Sequence, residues 1–281
     1  MTISEWLKHA RERLSQTGCP DPDIDARWIA EDALGMTRQA LVFEGDRAIP
    51  QERLYALESM LDRRAAGEPV QYILGAADFM GLRFHVSEAV LIPRQDTETL
   101  VEAALIDLRQ RPGSPALLDL CAGSGCVGLS LASLAPHARV TLADISPEAL
   151  EIAKTNQKAL GVKAELKQGD LFAAVGRERF DVIAANPPYI PSAELSTLQR
   201  EVRFEPVLAL DGGADGLDPY RRITAEAADH LNPGGAIFLE VGIGQAPAVL
   251  ALIKTHLACA NAGTVRDLNG IERVVFGKID N

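Results

Sequence analysis

The chain has 281 residues, 47% of them hydrophobic and 24% charged, the make-up of a globular protein with room for one large domain or a main domain carrying a smaller one, which excludes a disordered chain and a disulfide scaffold. Its 28 basic and 39 acidic residues leave a formal charge of −11, which opposes loose attraction to nucleic acid. Four scattered cysteines form no CxxC pair, so neither a zinc site nor a set of disulfides is expected.

The opening MTISEWLKHARERL breaks each apolar stretch with charge, and no run approaches the roughly 20 apolar residues of a membrane span. A cytoplasmic protein without a membrane partner is expected. Residues 4 to about 66 read as helices. Ser4 is suited to cap the first, with Trp6, Leu7, Ala10 and Leu14 inward; Ile24, Trp28 and Ile29 line a second that Gly35 stops. A third begins at Pro50 and carries Leu54, Leu57, Met60 and Leu61 at helical spacing. This predicts a small helical domain over 1–66. Glycines at 67, 75 and 81 then punctuate short extended stretches such as Leu82 to Val86, which predicts a hairpin linker over 67–92.

From residue 93 to 281 the pattern becomes strands alternating with helices. ALLDL (116–120), RVTLAD (139–144), FDVIAAN (180–186) and GAIFLEV (235–241) are short apolar runs, and Pro147 to Leu160 reads as a helix between them. Such alternation predicts an α/β domain with a mostly parallel sheet covered on both faces.

Directly after ALLDL, Gly123, Gly125 and Gly128 satisfy GxGxxG at a strand-to-helix turn, and Asp144 ends the following strand. Glycines let the backbone pass close under a ligand, a helix start offers free N–H groups, and the acid can accept both hydroxyls of a ribose. A nucleoside-bearing cofactor is implied, either a dinucleotide or S-adenosylmethionine.

Strand FDVIAA runs into Asn186-Pro187-Pro188-Tyr189, and ligands of open α/β sheets sit beyond the carboxyl ends of the strands. Neither proline has an N–H, so the loop offers acceptors: the Asn186 side-chain oxygen and the Pro187 carbonyl can take both hydrogens of a planar NH₂. Drawing on both hydrogens localises the nitrogen lone pair and aims it. The chemistry suits methyl transfer to an amide or ring amino group, with Tyr189 packed on the planar group to exclude water. Adenine N6 of DNA and a glutamine amide of a protein both fit. Glu205 and Glu240 suit either an electrostatic role or loop bracing, and His85, His137, His230 and His256 are isolated and assigned to no metal.

DLCAGSG resembles the first motif of class I S-adenosylmethionine-dependent methyltransferases, with a Rossmann-like fold. That resemblance implies that Cys121, Ala122, Gly123, Ser124 and Gly125 wrap the methionine part, that Asp144 holds the ribose, and that Asp170 and Leu171 border the adenine. More widely, RRAAGEPVQYILG (63–75), VLIPRQDTE (90–98), VRFEPVLALDGGADGLDPYRRI (202–223), LEVGIGQ (239–245) and DLNGIERVV (267–275) are similar, in order and spacing, to the release factor glutamine N5-methyltransferases, the HemK/PrmC family. Gln95 stands where that family usually has proline, and Ala122 where threonine is frequent.

The family resemblance implies a seven-stranded sheet, an N-terminal domain that recognises substrate, and methylation of the glutamine in the Gly-Gly-Gln loop of peptide chain release factors. It implies that Asn186, Pro187, Pro188 and Tyr189 contact the glutamine amide, with Asn186, Pro187 and Tyr189 catalytic and Asn186 also touching the cofactor. No metal, no direct nucleic-acid partner and a monomer are expected. Enzymes methylating a ribosomal-protein glutamine share NPPY and the glycine loop, and the segments RFEP and LDGGADGLDPYRR favour release factors over them. A DNA adenine methyltransferase would need a basic surface for base flipping that −11 does not suggest, and a cofactor-binding scaffold without activity would not need an intact NPPY.

Overall fold

The computed structural model describes all residues except 258, 260 and 281, so the C-terminal limit expected at 281 lies outside the described residues. The chain forms two compact units, Met1–Ala76 with Gln199–Phe204, and Ala77–Leu198 with Glu205–Asn281.

The first unit is helical: α1 (Ile3–Gln16), α2 (Pro22–Leu34), α3 (Arg38–Phe43), α4 (Gln51–Ala65) and α5 (Val70–Leu74). Thr2 caps α1, not Ser4. Its hydroxyl accepts from the Glu5 N–H while the Glu5 carboxylate accepts from the Thr2 N–H, a reciprocal pair that a Ser4 cap would forgo. Trp6, Ala10 and Leu14 are buried as expected, but on α2 the inward face is Ala26, Ile29, Ala30 and Ala33. Ile24 and Trp28 are exposed, on the face of α2 away from that set. Gly35 ends α2 in the left-handed conformation, φ 66°. The unit extends past the expected boundary at residue 66, since Val70 of α5 packs into the same core.

The hairpin β1 (Ala76–Phe79) and β2 (Leu82–His85) follows, all but its first residue in the second unit. That unit continues through α6 (Glu98–Gln110), β3 (Ala116–Leu120), α7 (Cys126–Leu134), β4 (Arg139–Asp144), α8 (Pro147–Leu160), β5 (Glu165–Gln168) and β6 (Phe180–Ala185). It ends with α9 (Asp218–His230), β7 (Leu231–Glu240), α10 (Ala246–His256), β8 (Asn261–Arg266) and β9 (Glu272–Lys278). Seven strands lie in the order β5-β4-β3-β6-β7-β9-β8. The first five are parallel, and β9 runs antiparallel to both β7 and β8. Alternate residues feed two cores. Leu117, Val182, Ala184, Ala236 and Phe238 pack on one face, and Leu118, Ile183, Ala185, Ile237 and Leu239 on the other. Burial on both faces is why these strands read as unbroken apolar runs. Strand order reverses between β3 and β6, which opens a crevice at their carboxyl ends.

Candidate active site

A cavity of about 440 Å³ lies in the second unit at that edge, and Cys121, Ala122, Gly123, Ser124, Asp144, Asp170, Leu171, Asn186 and Pro188 all line it. One side is the turn from β3 into α7. Asp119, buried at the end of β3, accepts the Gly128 N–H at 2.7 Å and ties the helix start to the strand. Burial pushes its carboxyl up to about 7, against the lowering effect of that bond and with a further rise from Asp144. Gly128 is required by contact: a Cβ there would come within 2.2 Å of the Leu142 side chain and 2.9 Å of Asp119. Gly125 precedes α7 and does not line the cavity.

Asp144, at the end of β4, accepts the Gly123 N–H at 2.7 Å on one oxygen and the Ser146 N–H at 2.9 Å on the other. Its pKa is raised by burial, with these backbone bonds holding it down in part. A carboxylate still has lone pairs for further donors, so Asp144 is held in place with acceptor capacity to spare. Cys121 and Leu171 carry left-handed backbones, φ 62° and 50°, a conformation uncommon for such residues and concentrated at ligand sites. The Cys121 thiol is pushed well up, and that of Cys126 to about 12, in both cases first by burial. The raised values favour the protonated thiol over the nucleophilic thiolate. Asp170 pairs with Arg222 of α9 at 2.7 Å, closing another wall.

Asn186 follows β6. Its Nδ2 donates to Thr97 Oγ at 3.3 Å, so the carbonyl end of the amide faces away from Thr97. Pro187 is buried, and neither Pro187 nor Tyr189 is among the cavity-lining residues. Tyr189 instead anchors the tetrapeptide from behind: its carbonyl accepts from Gln245 Nε2 at 2.9 Å, its ring packs by Gly242, and burial pushes its hydroxyl up to about 12. Tyr189 therefore braces the loop, its half-buried ring packed against the core beneath.

Other participants come from outside the glycine turn and NPPY. Ile190 exchanges backbone bonds with Leu210 and Gly212, at 2.9 and 2.8 Å. Gly216 lies so close to the Tyr189 carbonyl that a Cβ would come within 2.3 Å, which explains the last glycine of LDGGADG. Fully buried Asn156 accepts the His85 N–H, and its own amide N–H groups donate to the His85 and Ser124 carbonyls, clamping the glycine turn to β2. Glu205 is buried against Arg94, which lines the cavity. The 3₁₀ turn at Gln95–Thr97 forms with glutamine at its first position.

The sheet order, the glycine turn and the acid after β4 define a Rossmann-like methyltransferase. A methyltransferase from Pyrococcus furiosus has the same fold, with a TM-score of 0.53 and 18% identity over 72% of this chain and 91% of that one. Residues 5–75 match the PrmC N-terminal domain and 97–202 the methyltransferase small domain. The release factor glutamine methyltransferase of Geobacter sulfurreducens is 45% identical, covering 99% of this chain and 97% of that protein, and that of Moorella thermoacetica is 42% identical, covering 97% of each. The chain belongs to the release factor glutamine methyltransferase family.

Proposed function

We propose that the protein transfers a methyl group from S-adenosylmethionine to the side-chain N5 of the glutamine in the Gly-Gly-Gln loop of peptide chain release factors, releasing S-adenosylhomocysteine, with no metal in the reaction. The observation that carries this reading is Asn186 at the cavity wall, its amide nitrogen engaged by Thr97 and its oxygen directed away.

The residues present suit the cofactor. The turn 121–125 offers backbone to the methionine portion, Asp144 keeps acceptor capacity for ribose hydroxyls, and the segment at Asp170 and Leu171 flanks the adenine. When bound, S-adenosylmethionine supplies a methyl group on a positively charged sulfur. Everything else is done by the chain. Asn186 Oδ1 and the Pro187 carbonyl accept the two amide hydrogens, hold the nitrogen in line, and stabilise the positive charge that grows on it. An N-alkylated amide cation is a strong acid, so its proton leaves without a dedicated base. Pro188 lines the approach, and Tyr189 keeps the loop from moving. The helical unit grips the protein substrate beyond the reacting loop, supplying remote binding energy.

The test is incubation of the purified protein with labelled S-adenosylmethionine and, separately, intact release factor, release factor with the Gly-Gly-Gln glutamine replaced, ribosomal protein, and DNA. Label on intact release factor alone is expected. Label on ribosomal protein or DNA, or on the glutamine-replaced factor, contradicts the substrate assignment.

A further inference from the structure

We infer that Arg94, held by the buried Glu205 side chain, is the donor that receives the side-chain carbonyl oxygen of the substrate glutamine; this rests on the acceptor role proposed for Asn186. Arg94 lines the cavity together with Asn186, Pro188 and Pro206. It stands directly before the 3₁₀ turn Gln95–Thr97, whose last residue accepts from Asn186 Nδ2. The Thr97 N–H closes that turn on the Arg94 carbonyl at 3.1 Å, so a single turn of chain ties Arg94 to Asn186.

A primary amide brings two hydrogens and one carbonyl oxygen to the site. Asn186 Oδ1 and the Pro187 carbonyl take the hydrogens. For the oxygen that loop has little to offer, since the two prolines carry no N–H and Asn186 Nδ2 is turned to Thr97. A carbonyl oxygen taken out of water without a donor weakens binding. Arg94 has donors to spare. Of the five N–H groups of a guanidinium, one on Nη2 goes to Glu205 Oε1 at 2.5 Å, while Nε and Nη1 have no protein partner among the described residues. The Arg94 side chain is 41% exposed, so those donors are open to a ligand in the cavity. Arg222, which also lines the cavity, pairs instead with Asp170 on the wall assigned to the adenine.

Glu205 makes a cation tolerable at this wall. Its side chain is 1% exposed, and it meets Arg94 through one oxygen, where the pair could form a two-pronged contact. The other oxygen, Oε2, is buried with no partner among the described residues, a costly arrangement. It leaves Nε and Nη1 unspent, and it sets a carboxyl on the protein side of the guanidinium, where negative charge offsets repulsion between Arg94 and the positively charged sulfur of the cofactor. A bond to the glutamine oxygen is made before transfer as well as during it. Its loss therefore raises KM for the protein substrate and leaves kcat nearly as it was.

The experiment uses the full-length protein and Arg94→Met, which keeps an unbranched stem and removes every donor, measuring kcat and KM on release factor, S-adenosylmethionine affinity by calorimetry, and melting temperature. Because that change leaves the Glu205 carboxyl buried without its partner, Arg94→Met/Glu205→Gln is measured beside it should the single variant not fold. Binding of intact release factor, and of release factor with the Gly-Gly-Gln glutamine changed to alanine, is then compared for wild type and variant with S-adenosylhomocysteine in place of the methyl donor, a cycle that isolates the contact. The expected result is a rise in KM of about tenfold or more, with kcat within about twofold and cofactor affinity unchanged. In the cycle, affinity for intact factor should fall by about as much, and affinity for the alanine factor should not change. Glu205→Ala should raise KM in the same way, and Glu205→Gln, whose carbonyl still accepts from Arg94, should restore most of it. An equal loss for both factors overturns the contact with the glutamine side chain, and so does an unchanged KM or a weakened cofactor. A Glu205→Ala loss that glutamine does not rescue overturns the anchoring role. Asn186→Ala with wild-type turnover overturns the acceptor role beneath the inference, whatever Arg94 does.

Discussion

At the scale of single residues, the cavity is governed by acids whose surroundings fix what they can accept. Asp144 is held by two backbone N–H groups, and its remaining acceptor capacity is the proposed ribose contact. Asp144→Ala is expected to weaken S-adenosylmethionine binding by about 1.5–3 kcal/mol, the worth of a charge-assisted bond, with the change read by calorimetry; unchanged affinity would remove the assignment. Glu205 yields a prediction with a sign. Burial pushes its carboxyl up to about 7, with Arg94 acting in the opposite sense. A carboxyl whose folded pKa lies above its unfolded value of about 4.3 favours the folded state at low pH, and that contribution is lost as pH rises through about 7. Glutamine does not titrate in either state. The melting temperature of Glu205→Gln relative to wild type should therefore rise between pH 5 and pH 8, and a difference flat across that range would contradict the environment assigned to Glu205.

At the scale of elements, the turn between β3 and α7 works because helix and sheet approach each other at Gly128. Gly128→Ala must displace Leu142 or Asp119, at a cost of about 1–3 kcal/mol for overpacking. Thermal unfolding should show that loss together with weaker cofactor binding; stability equal to wild type would mean the contact yields freely. Much of this scale was legible in the residues. The run ALLDL, the glycine turn, Asp144 and the 147–160 helix all fall where their patterns place them, since a strand buried on both faces and a glycine turn each have a local signature. Other features had none. Short β5 (Glu165–Gln168) is half exposed at the sheet edge and lacks an apolar run. The six-residue α3 is too short for periodicity to register. The Thr2 cap and the inward face of α2 depend on neighbours far along the chain. Thr97 and Asn156 act through contacts made only after folding, and the bracing position of Tyr189 follows from Gly216, Gly242 and Gln245, which pattern alone does not join to NPPY.

At the scale of the whole molecule, Gln199–Phe204 belongs to the helical unit, although the residues on either side of it belong to the other. Arg64, 5% exposed, holds that segment by pairing with Glu201 at 2.9 Å and with buried Asp25 at 2.6 Å. Arg64→Ala leaves the Asp25 carboxylate, among the described residues, with the Cys19 thiol as its side-chain donor. Breaking a buried pair costs about 3–5 kcal/mol, which urea denaturation should register; a loss below about 1 kcal/mol would show that the pair is not important to the helical unit. The proposed chemistry meets its most direct test in site-localising mass spectrometry of release factor treated with the wild-type protein and with Asn186→Ala. One methyl on N5 of the Gly-Gly-Gln glutamine with the wild type, and none with the variant at equal cofactor occupancy, is the predicted result. A methyl on another atom, or on the same glutamine at undiminished rate in the variant, would contradict the account.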